Sequence, residues 1–568
     1  MNILLTPARI GAVEIANRIV MAPMTTRTAD EDGAVTEDTI AYYEARARGG
    51  VGLITVEMAA PEKGGRHRRR ELGIHDDRFV PGLTRLVAAI HASGAKASIQ
   101  LGHAGGHTRA DICGETPIAP SAIPHPVYET TLETIVPEAM SRACIDQTLQ
   151  AFAAAAVRAR RAGFDGVEIH AAHGYLISQF HAPFENTRTD AYGGTLENRA
   201  RFGLEVLRAV KAAVAGMPVI YRLSVEDFFP GGLPFAEGKQ IAIWAAEAGA
   251  DALHISAGHY RSRPSAAVMI PPMTTPEATF LDFAAEVKQS VRVPVIAVGR
   301  LGDPSVATEA VASGKADFVA LGRSLIADPQ WVEKFRRGEP VRRCLACNTC
   351  VDEMRGGGRI GCVVNGAAGR ERAFPKGPAP KGERIAVIGA GPAGLTYASL
   401  VASRNQTTVF EKHRCAGGAL RLAGSAPLFQ EVAANQTSFD RYIEALVAAC
   451  VQDGVQFKFG IDVSTQPALL EHFDRIVVAT GANYRFGLRL FIATVLRSGA
   501  ARRPGIARLL SNPEIRDWFY YKARQGTAER FVRLAKPGQT VVAIGDAATP
   551  GKSKAAITSA FEAALLSR

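Results

Sequence analysis

Four cysteines stand within nineteen residues, Cys344, Cys347, Cys350 and Cys362, in the spacing Cys-x2-Cys-x2-Cys-x11-Cys. Three thiolates from one tight loop, with a fourth arriving from further along, suit the corners of a cubane [4Fe–4S] cluster. A structural zinc site more often presents two separated pairs, and four cysteines packed as small hydrophobes are the remaining reading. Gly356, Gly357 and Gly358 let the chain fold back closely over a cluster. Such a cluster moves single electrons, so the spacing points to a redox enzyme.

A second set of residues has the chemistry of nucleotide binding. Gly389, Gly391 and Gly394 form a Gly-x-Gly-x-x-Gly turn between an apolar strand at 385–388 and helical sequence. Glycines there let backbone amides approach a pyrophosphate at a helix N-terminus. Glu411 ends the next strand, at 408–411, where a carboxylate can bind ribose hydroxyls. Apolar runs at 477–481 and 541–547 complete the pattern, and Gly545 and Asp546 are expected beside the pyrophosphate and ribityl chain of an FAD. FAD and an adenine nucleotide such as ADP both fit. Between Gly481 and Val541 lie only 59 residues without a second glycine turn. They read as basic helices, for example at 491–500 and 517–522, forming a solvated cover rather than a domain for nicotinamide.

The elements that must hold these groups follow from hydrophobic patterning. Up to about residue 340, short apolar runs at 18–21, 51–56, 97–101, 166–170, 219–223, 252–255, 295–298 and 318–321 alternate with amphipathic helical stretches. Eight such units predict an α/β fold built on a (β/α)8 barrel. A doubly wound sheet is the alternative, but no Gly-x-Gly-x-x-Gly opens the first unit. The organisation expected is a barrel at 1–340, a cluster segment at 341–370, a Pro/Gly/Lys linker at 371–383 and a Rossmann-like FAD/ADP-binding domain at 384–568 that lacks a full NAD(P)H subdomain.

Composition bounds the class. The 568 residues, 47% hydrophobic and 21% charged, are those of an ordinary globular protein of several domains. Cys113, Cys144, Cys415 and Cys450 are scattered without a pairing pattern, which with a labile cluster suggests a reducing cytoplasm. No leader pattern opens the chain, and no apolar run reaches the ~18–20 residues of a membrane span. The net charge of +11 is not joined to a groove-reading motif, so neither nucleic acid nor membrane is expected as a partner. The densest basic cluster, 66–70 around His67, reads as a solvated loop.

The segments at 17–25, 170–176 and 190–199 resemble the old yellow enzyme family. With the cysteine segment and the C-terminal domain, the whole chain resembles that family's long iron–sulfur branch, which contains 2,4-dienoyl-CoA reductase and trimethylamine dehydrogenase. The resemblance implies FMN at the barrel mouth on Pro23, Met24 and Thr25, with Ala59 near the ring and Gln100 on the pyrimidine side. It implies Arg222 near flavin N1, and the phosphate at Gly299, Arg300, Gly322 and Arg323, where barrels commonly hold phosphate. Catalysis is expected at His170, His173 and Tyr175: the histidines bind a carbonyl or phenolate oxygen, and the tyrosine gives a proton. His259 is a further candidate for the substrate pocket. Two departures stand out. The stretch at 103–106 has glycine where relatives often carry arginine, and no cysteine precedes Cys113, so FMN is expected to be non-covalent. The implied activity is reduction of an activated C=C bond in a small unsaturated carbonyl or thioester compound, with NAD(P)H as donor. The alternative is an amine dehydrogenase or N-demethylase that passes electrons through the cluster to an electron-transfer flavoprotein. An aromatic cage for an ammonium lacks a tryptophan close after a barrel strand.

Overall fold

The structure is a computed structural model that describes residues 2–127, 133–374 and 382–566. Most of the expected linker, 375–381, lies outside the described residues. Eight parallel strands close into a barrel: β1 Ile19–Met21, β2 Leu53–Ala59, β3 Lys96–Leu101, β4 Gly166–Ala171, β5 Val219–Ser224, β6 Ala252–Ser256, β7 Val295–Ala297 and β8 Phe318–Leu321. The ring closes where β8 pairs with β1, Val319 opposite Ile19 and Leu321 opposite Met21. Apart from Lys96, every residue of these strands is buried. Helices cover the outer face and side chains fill the inner one, which is why the sequence shows continuous apolar runs rather than alternation. β2 runs three residues past its expected end, through a register shift between Val56 and Ala59.

Inside the barrel, Val20, Leu53, Ile220, Ala252, Ile296, Phe318 and Ala320 form one cluster. Ile10 and Ile15, from the N-terminal hairpin Ala8–Ile10 with Val13–Ile15, join it and plug the N-terminal end. The outer helices start where polar side chains cap free amides. Thr195 accepts from Asn198 N ahead of Leu196–Ala213, Ser141 accepts from Cys144 N ahead of Arg142–Arg161, and Asp303 accepts from the amides of Ser305 and Val306 ahead of Pro304–Ala312. With one end plugged, only the C-terminal ends of the strands are left to build a site.

The C-terminal domain is a five-stranded parallel sheet of β9 Arg384–Ile388, β10 Gln406–Glu411, β11 Gln456–Phe459, β12 Arg475–Val478 and β13 Thr540–Ala543, in the order β11-β10-β9-β12-β13. The order reverses at β9, and in open α/β sheets ligands bind at such a switch point. Leu395, Tyr397, Phe439, Tyr442 and Phe561 form its core together with Met273, Ala327, Leu345, Ala346 and Cys347. The cysteine loop is therefore shared core between barrel and C-terminal domain.

Between β12 and β13 a small hairpin, Ala482–Tyr484 with Arg524–Gly526, frames the helices Leu488–Arg497, Pro504–Ser511 and Pro513–Asp517 and a π-helical turn at Trp518–Lys522. No second parallel sheet is found here among the described residues, in line with the missing NAD(P)H subdomain.

Candidate active site

The C-terminal ends of the barrel strands open into a cavity of about 480 Å³. Pro23, Met24, Thr25, Gln100, Arg222, Gly299, Arg300, Gly322 and Arg323 line it, as do His170, His173 and Tyr175. Ala59 does not. Its side chain is fully buried in the core outside the barrel, because the bulge at the end of β2 turns it away from the mouth.

The residues expected around FMN are individually positioned. Gln100 Nε2 donates to Glu168 Oε1 at 2.7 Å, and Glu168 Oε2 lies 2.8 Å from His254 Nδ1. Arg222 is buried, and its Nε has no hydrogen-bond partner. Burial lowers the Arg222 pKa, and nearby Glu168 opposes that shift. A buried guanidinium lining a cavity, with one nitrogen unpartnered, is what an electron-rich flavin edge fits. Gly299, two residues past β7, has φ +108, and a Cβ there would come within 2.8 Å of Phe280, so only glycine fits at this position. Arg300 Nη1 donates to the carbonyls of Pro272, Met273 and Thr275. Arg323 donates to Asn348 Oδ1 in the cysteine loop.

His170 lies within β4, and His173 follows in the left-handed region at φ +67. Ser224 Oγ accepts from His173 N at 3.0 Å, and His173 Nε2 lies 2.7 Å from Ser256 Oγ. The His170 ring meets that of His173 at 90° with centroids 5.3 Å apart, and that of Tyr175 at 4.9 Å. Burial, followed by the charge of Arg222, holds both imidazoles well below the usual histidine pKa. Burial, then Tyr260, pushes the Tyr175 phenol well above its ordinary value. At neutral pH the three groups are two uncharged imidazoles and one protonated phenol.

Two expectations are corrected here. The loop at 66–70 is not a solvated loop: Arg66, His67 and Arg68 are buried, and Arg68 lines the cavity. His67 Nδ1 lies 2.9 Å from the Tyr175 hydroxyl, while its Nε2 has no partner. Beneath it, Glu71 Oε2 accepts from the amides of His67 and Arg68, and burial pushes this carboxyl up to about 8. Second, His259 does not line the cavity. It is buried with Nε2 3.1 Å from Glu185 Oε2. Burial favours a neutral Glu185, but His259, His125 and Arg261 around it outweigh that and hold its carboxyl down to about 2. His259 thus supports the wall behind Tyr260 instead of facing substrate. The departure at 105–106 has a steric reason: arginine has no room there. Gly105 has φ +62 and a Cβ there would meet Gln179, while one on Gly106 would meet His125. Arg68 brings a guanidinium to the cavity from the β2 loop instead. Sequence reading also missed His107, stacked on Tyr260 at 4.7 Å and 10°. The available signal was that His67 and His107 follow β2 and β3, where barrel loops build sites.

Cys344 and Cys350 line the same cavity. Ala346 and Asn348, at φ +51 and +57, curl the loop between them, and Cys350 falls in the first turn of Thr349–Arg355. Burial raises the pKa values of Cys347, Cys350 and Cys362. Charge on neighbouring members of the set of four adds to each, Cys350 reaching about 12. Mutual repulsion among four thiolates is what a cationic iron–sulfur core relieves, so the donor set fits such a cluster. Among the described residues, no group of three or more His, Cys, Asp or Glu side chains forms a ready metal chelate as it stands.

The nucleotide turn separates its three glycines by role. Gly389 has φ +110 with Ala479 O 2.5 Å from an added Cβ, and a Cβ on Gly394 would strike Gly389 O at 2.0 Å. Both are needed for the turn itself. Gly391 has an ordinary φ of −80, and a Cβ there meets nothing within 4 Å, a space that suits a bound pyrophosphate. Glu411 already accepts from the amides of Ala390 and His413, both at 2.9 Å. Gly545 has φ +60. Asp546 pairs with Arg524 at 2.6 Å and accepts from Gly551 N, so a ribityl chain has to share that carboxylate.

Residues 3–341 match the NADH:flavin oxidoreductase / NADH oxidase family, and residues 387–424 match an NAD(P)-binding Rossmann-like domain. The chain is 39% identical over 493 residues to the NADH oxidase of Thermoanaerobacter brockii, covering 84% of this chain and 73% of the relative. It is 33% identical to the cinnamate reductase of Clostridium sporogenes, covering 85% and 75%, and 33% identical to the probable N-methylproline demethylase of Rhizobium meliloti, covering 84% and 70%. Its fold superposes on that of 2-naphthoyl-CoA reductase with a TM-score of 0.86 over 100% and 99% of the two chains, at 24% identity. The chain belongs to the NADH:flavin oxidoreductase / NADH oxidase family, in the long branch of the old yellow enzymes. It is an FMN-dependent oxidoreductase with a dinucleotide-binding C-terminal domain.

Proposed function

We propose that the chain reduces the C=C bond of an α,β-unsaturated carbonyl or thioester compound with electrons from NAD(P)H. The observation that carries this reading is the charge of the cavity. Neutral His170 and His173 and a protonated Tyr175 share it with Arg68 and Arg222, while Arg300 and Arg323 stand at the phosphate end and Arg343 and Arg441 pair with Asp303 and Glu277. Such a lining stabilises an oxygen that gains negative charge and opposes a cationic amine. FMN held by Pro23, Met24, Thr25, Gln100, Arg300 and Arg323 would supply hydride for the β-carbon. His170 and His173 hold the carbonyl oxygen through ring N–H groups and withdraw charge from the double bond. Tyr175 hands its phenolic proton to the α-carbon, and His67, in its Nδ1–H tautomer, donates to the phenolate left behind. Arg222 would place positive charge beside the isoalloxazine ring.

Cys344, Cys347, Cys350 and Cys362 hold a [4Fe–4S] cluster in this proposal, next to the flavin because Cys344 and Cys350 line its cavity. The turn at Gly389, Gly391 and Gly394, with Glu411, Gly545 and Asp546, holds FAD or ADP. A second reading, oxidation of an N-methylated amine with an electron-transfer flavoprotein as acceptor, is favoured by the aromatic walls. His107 stacks on Tyr260, and Tyr175 stands edge-on to it at 5.7 Å, surfaces an alkylammonium uses. Turnover separates the two. Anaerobic NADH or NADPH oxidation that depends on an enone or cinnamate-like acid and yields the saturated product supports ene reduction. Turnover with N-methylated amines and none with unsaturated acceptors refutes it.

A further inference from the structure

The segment 482–539, standing where a nicotinamide domain is absent, concentrates two properties of the whole chain. Twelve Lys and Arg accompany three Asp and Glu there, so these 58 residues carry a net +9 of the chain's +11. They also expose Leu490 by 80%, Phe491 by 66%, Leu509 by 55%, Tyr521 by 52% and Trp518 by 40%. Charge alone reads as a solvated cover; large apolar side chains projecting among the charges do not. On Leu488–Arg497, Leu488, Ile492, Val495 and Leu496 form the half-buried side while Leu490 and Phe491 point outward. Leu509 follows exposed Arg508 on Pro504–Ser511.

The segment is fastened from below. Arg502 donates to the carbonyls of Gly424 and Ala434, Arg516 pairs with Glu431, and Arg524 pairs with Asp546. Those contacts leave Arg497, Arg503 and Arg508 exposed within the same segment as the projecting apolar groups.

We propose that this segment is a docking face for an anionic lipid membrane, with Leu490, Phe491 and Leu509 seated among acyl chains and the surface arginines on lipid head groups. Short helices with aliphatic and aromatic residues on one side and cations at the margins lie in the interfacial layer, and an anionic leaflet attracts them. A nucleic acid would use the arginines but not the leucines. A leucine four-fifths exposed projects from its surface and is matched by a soft apolar medium better than by a preshaped protein pocket. No helix among the described residues is long and apolar enough to cross a membrane, so attachment through this face is peripheral. The face is independent of the substrate assigned to the barrel.

The test uses the full chain with its cofactors, mixed with phosphatidylcholine vesicles or with phosphatidylcholine vesicles containing phosphatidylglycerol. Binding is read by co-sedimentation and by tryptophan emission, Trp518 being the exposed member of the chain's three tryptophans. The expected result is binding to the anionic vesicles alone, with a blue shift and loss at high salt. Arg503→Gln with Arg508→Gln weakens binding about thirtyfold, at roughly fivefold per arginine. Leu490→Asp with Phe491→Asp, both at exposed positions, abolishes binding while flavin content is unchanged. Failure to co-sediment with anionic vesicles overturns the proposal. So does undiminished binding of the Leu490→Asp/Phe491→Asp variant, which would show attraction by charge alone with no apolar side chain seated in the bilayer.

Discussion

Replacing Tyr175 with phenylalanine removes one hydroxyl and keeps the ring. The ring sits in a small buried cluster with Met58, Ala104, Tyr260 and Met269, so the wall of the cavity survives. The lost hydrogen bond between the hydroxyl and His67, 2.9 Å long, is worth about 1 kcal/mol, small against the ~5–15 kcal/mol that holds a domain folded. Catalysis loses far more. Donation by a positioned acid contributes about 10²–10⁴ in rate, equal to about 3–5 kcal/mol of barrier. The phenol is the protonated group at this position, since burial keeps its pKa well above the usual tyrosine value. Two anaerobic stopped-flow experiments read this out. Bleaching of the flavin by NAD(P)H should proceed at the native rate, and its recolouring by an enone should slow about 10²–10⁴-fold. Recolouring of Tyr175→Phe at the native rate would show that the proton comes from elsewhere, and would refute the role given to this residue and to His67.

His67→Phe removes the imidazole partner of the Tyr175 hydroxyl, so recolouring should slow by about tenfold, the effect of roughly 1–2 kcal/mol, with bleaching unchanged; the two transients check it. Gly391→Ala should leave the fold and melting temperature intact, because the added methyl meets nothing within 4 Å, yet strip the C-terminal nucleotide, whereas Gly389→Ala, at φ +110, should destabilise the domain itself. Nucleotide content after gel filtration and thermal melts separate the two. Cys362→Ser should lower iron and labile sulfide content while the barrel keeps its FMN, as measured by chemical analysis and flavin absorbance. Glu71, with a folded pKa of about 8 against 4.5 unfolded, keeps its proton in the folded state while the unfolded chain releases it, so stability falls as pH rises through this window. Glu71→Gln retains an acceptor for the His67 and Arg68 amides and should remove a loss on the order of a few kcal/mol, read as a flatter urea midpoint between about pH 5 and pH 8.

The strands were legible because a closed parallel barrel buries both faces, so apolar runs end within one to three residues of the observed strands. That His170, at the end of β4, and His173 and Tyr175 just past it would reach the barrel mouth was legible for a related reason: polar residues at the C-terminal end of a buried strand face the mouth. Residues 66–70 misled because four arginines dominate their composition. In the structure Arg66 reaches the Glu31 carbonyl and Glu71 gathers two amides, contacts from distant or turned backbone that no local pattern records. His259 misled in the opposite direction, since its position after β6 is that of a site residue, but Glu185 from another loop captures its ring. Asp546 fits its motif, yet its partner Arg524 comes from the basic segment that replaces the nicotinamide domain.

The central claim is that electrons enter from NAD(P)H and leave to an activated double bond. The most direct test is anaerobic stopped-flow of the reconstituted protein, following the flavin band near ~450 nm as NADH or NADPH is added, then as an enone follows. The account predicts rapid bleaching by a nicotinamide and recolouring by the enone at a rate that sustains turnover. No bleaching by either nucleotide, with bleaching by an N-methylated amine, would contradict it.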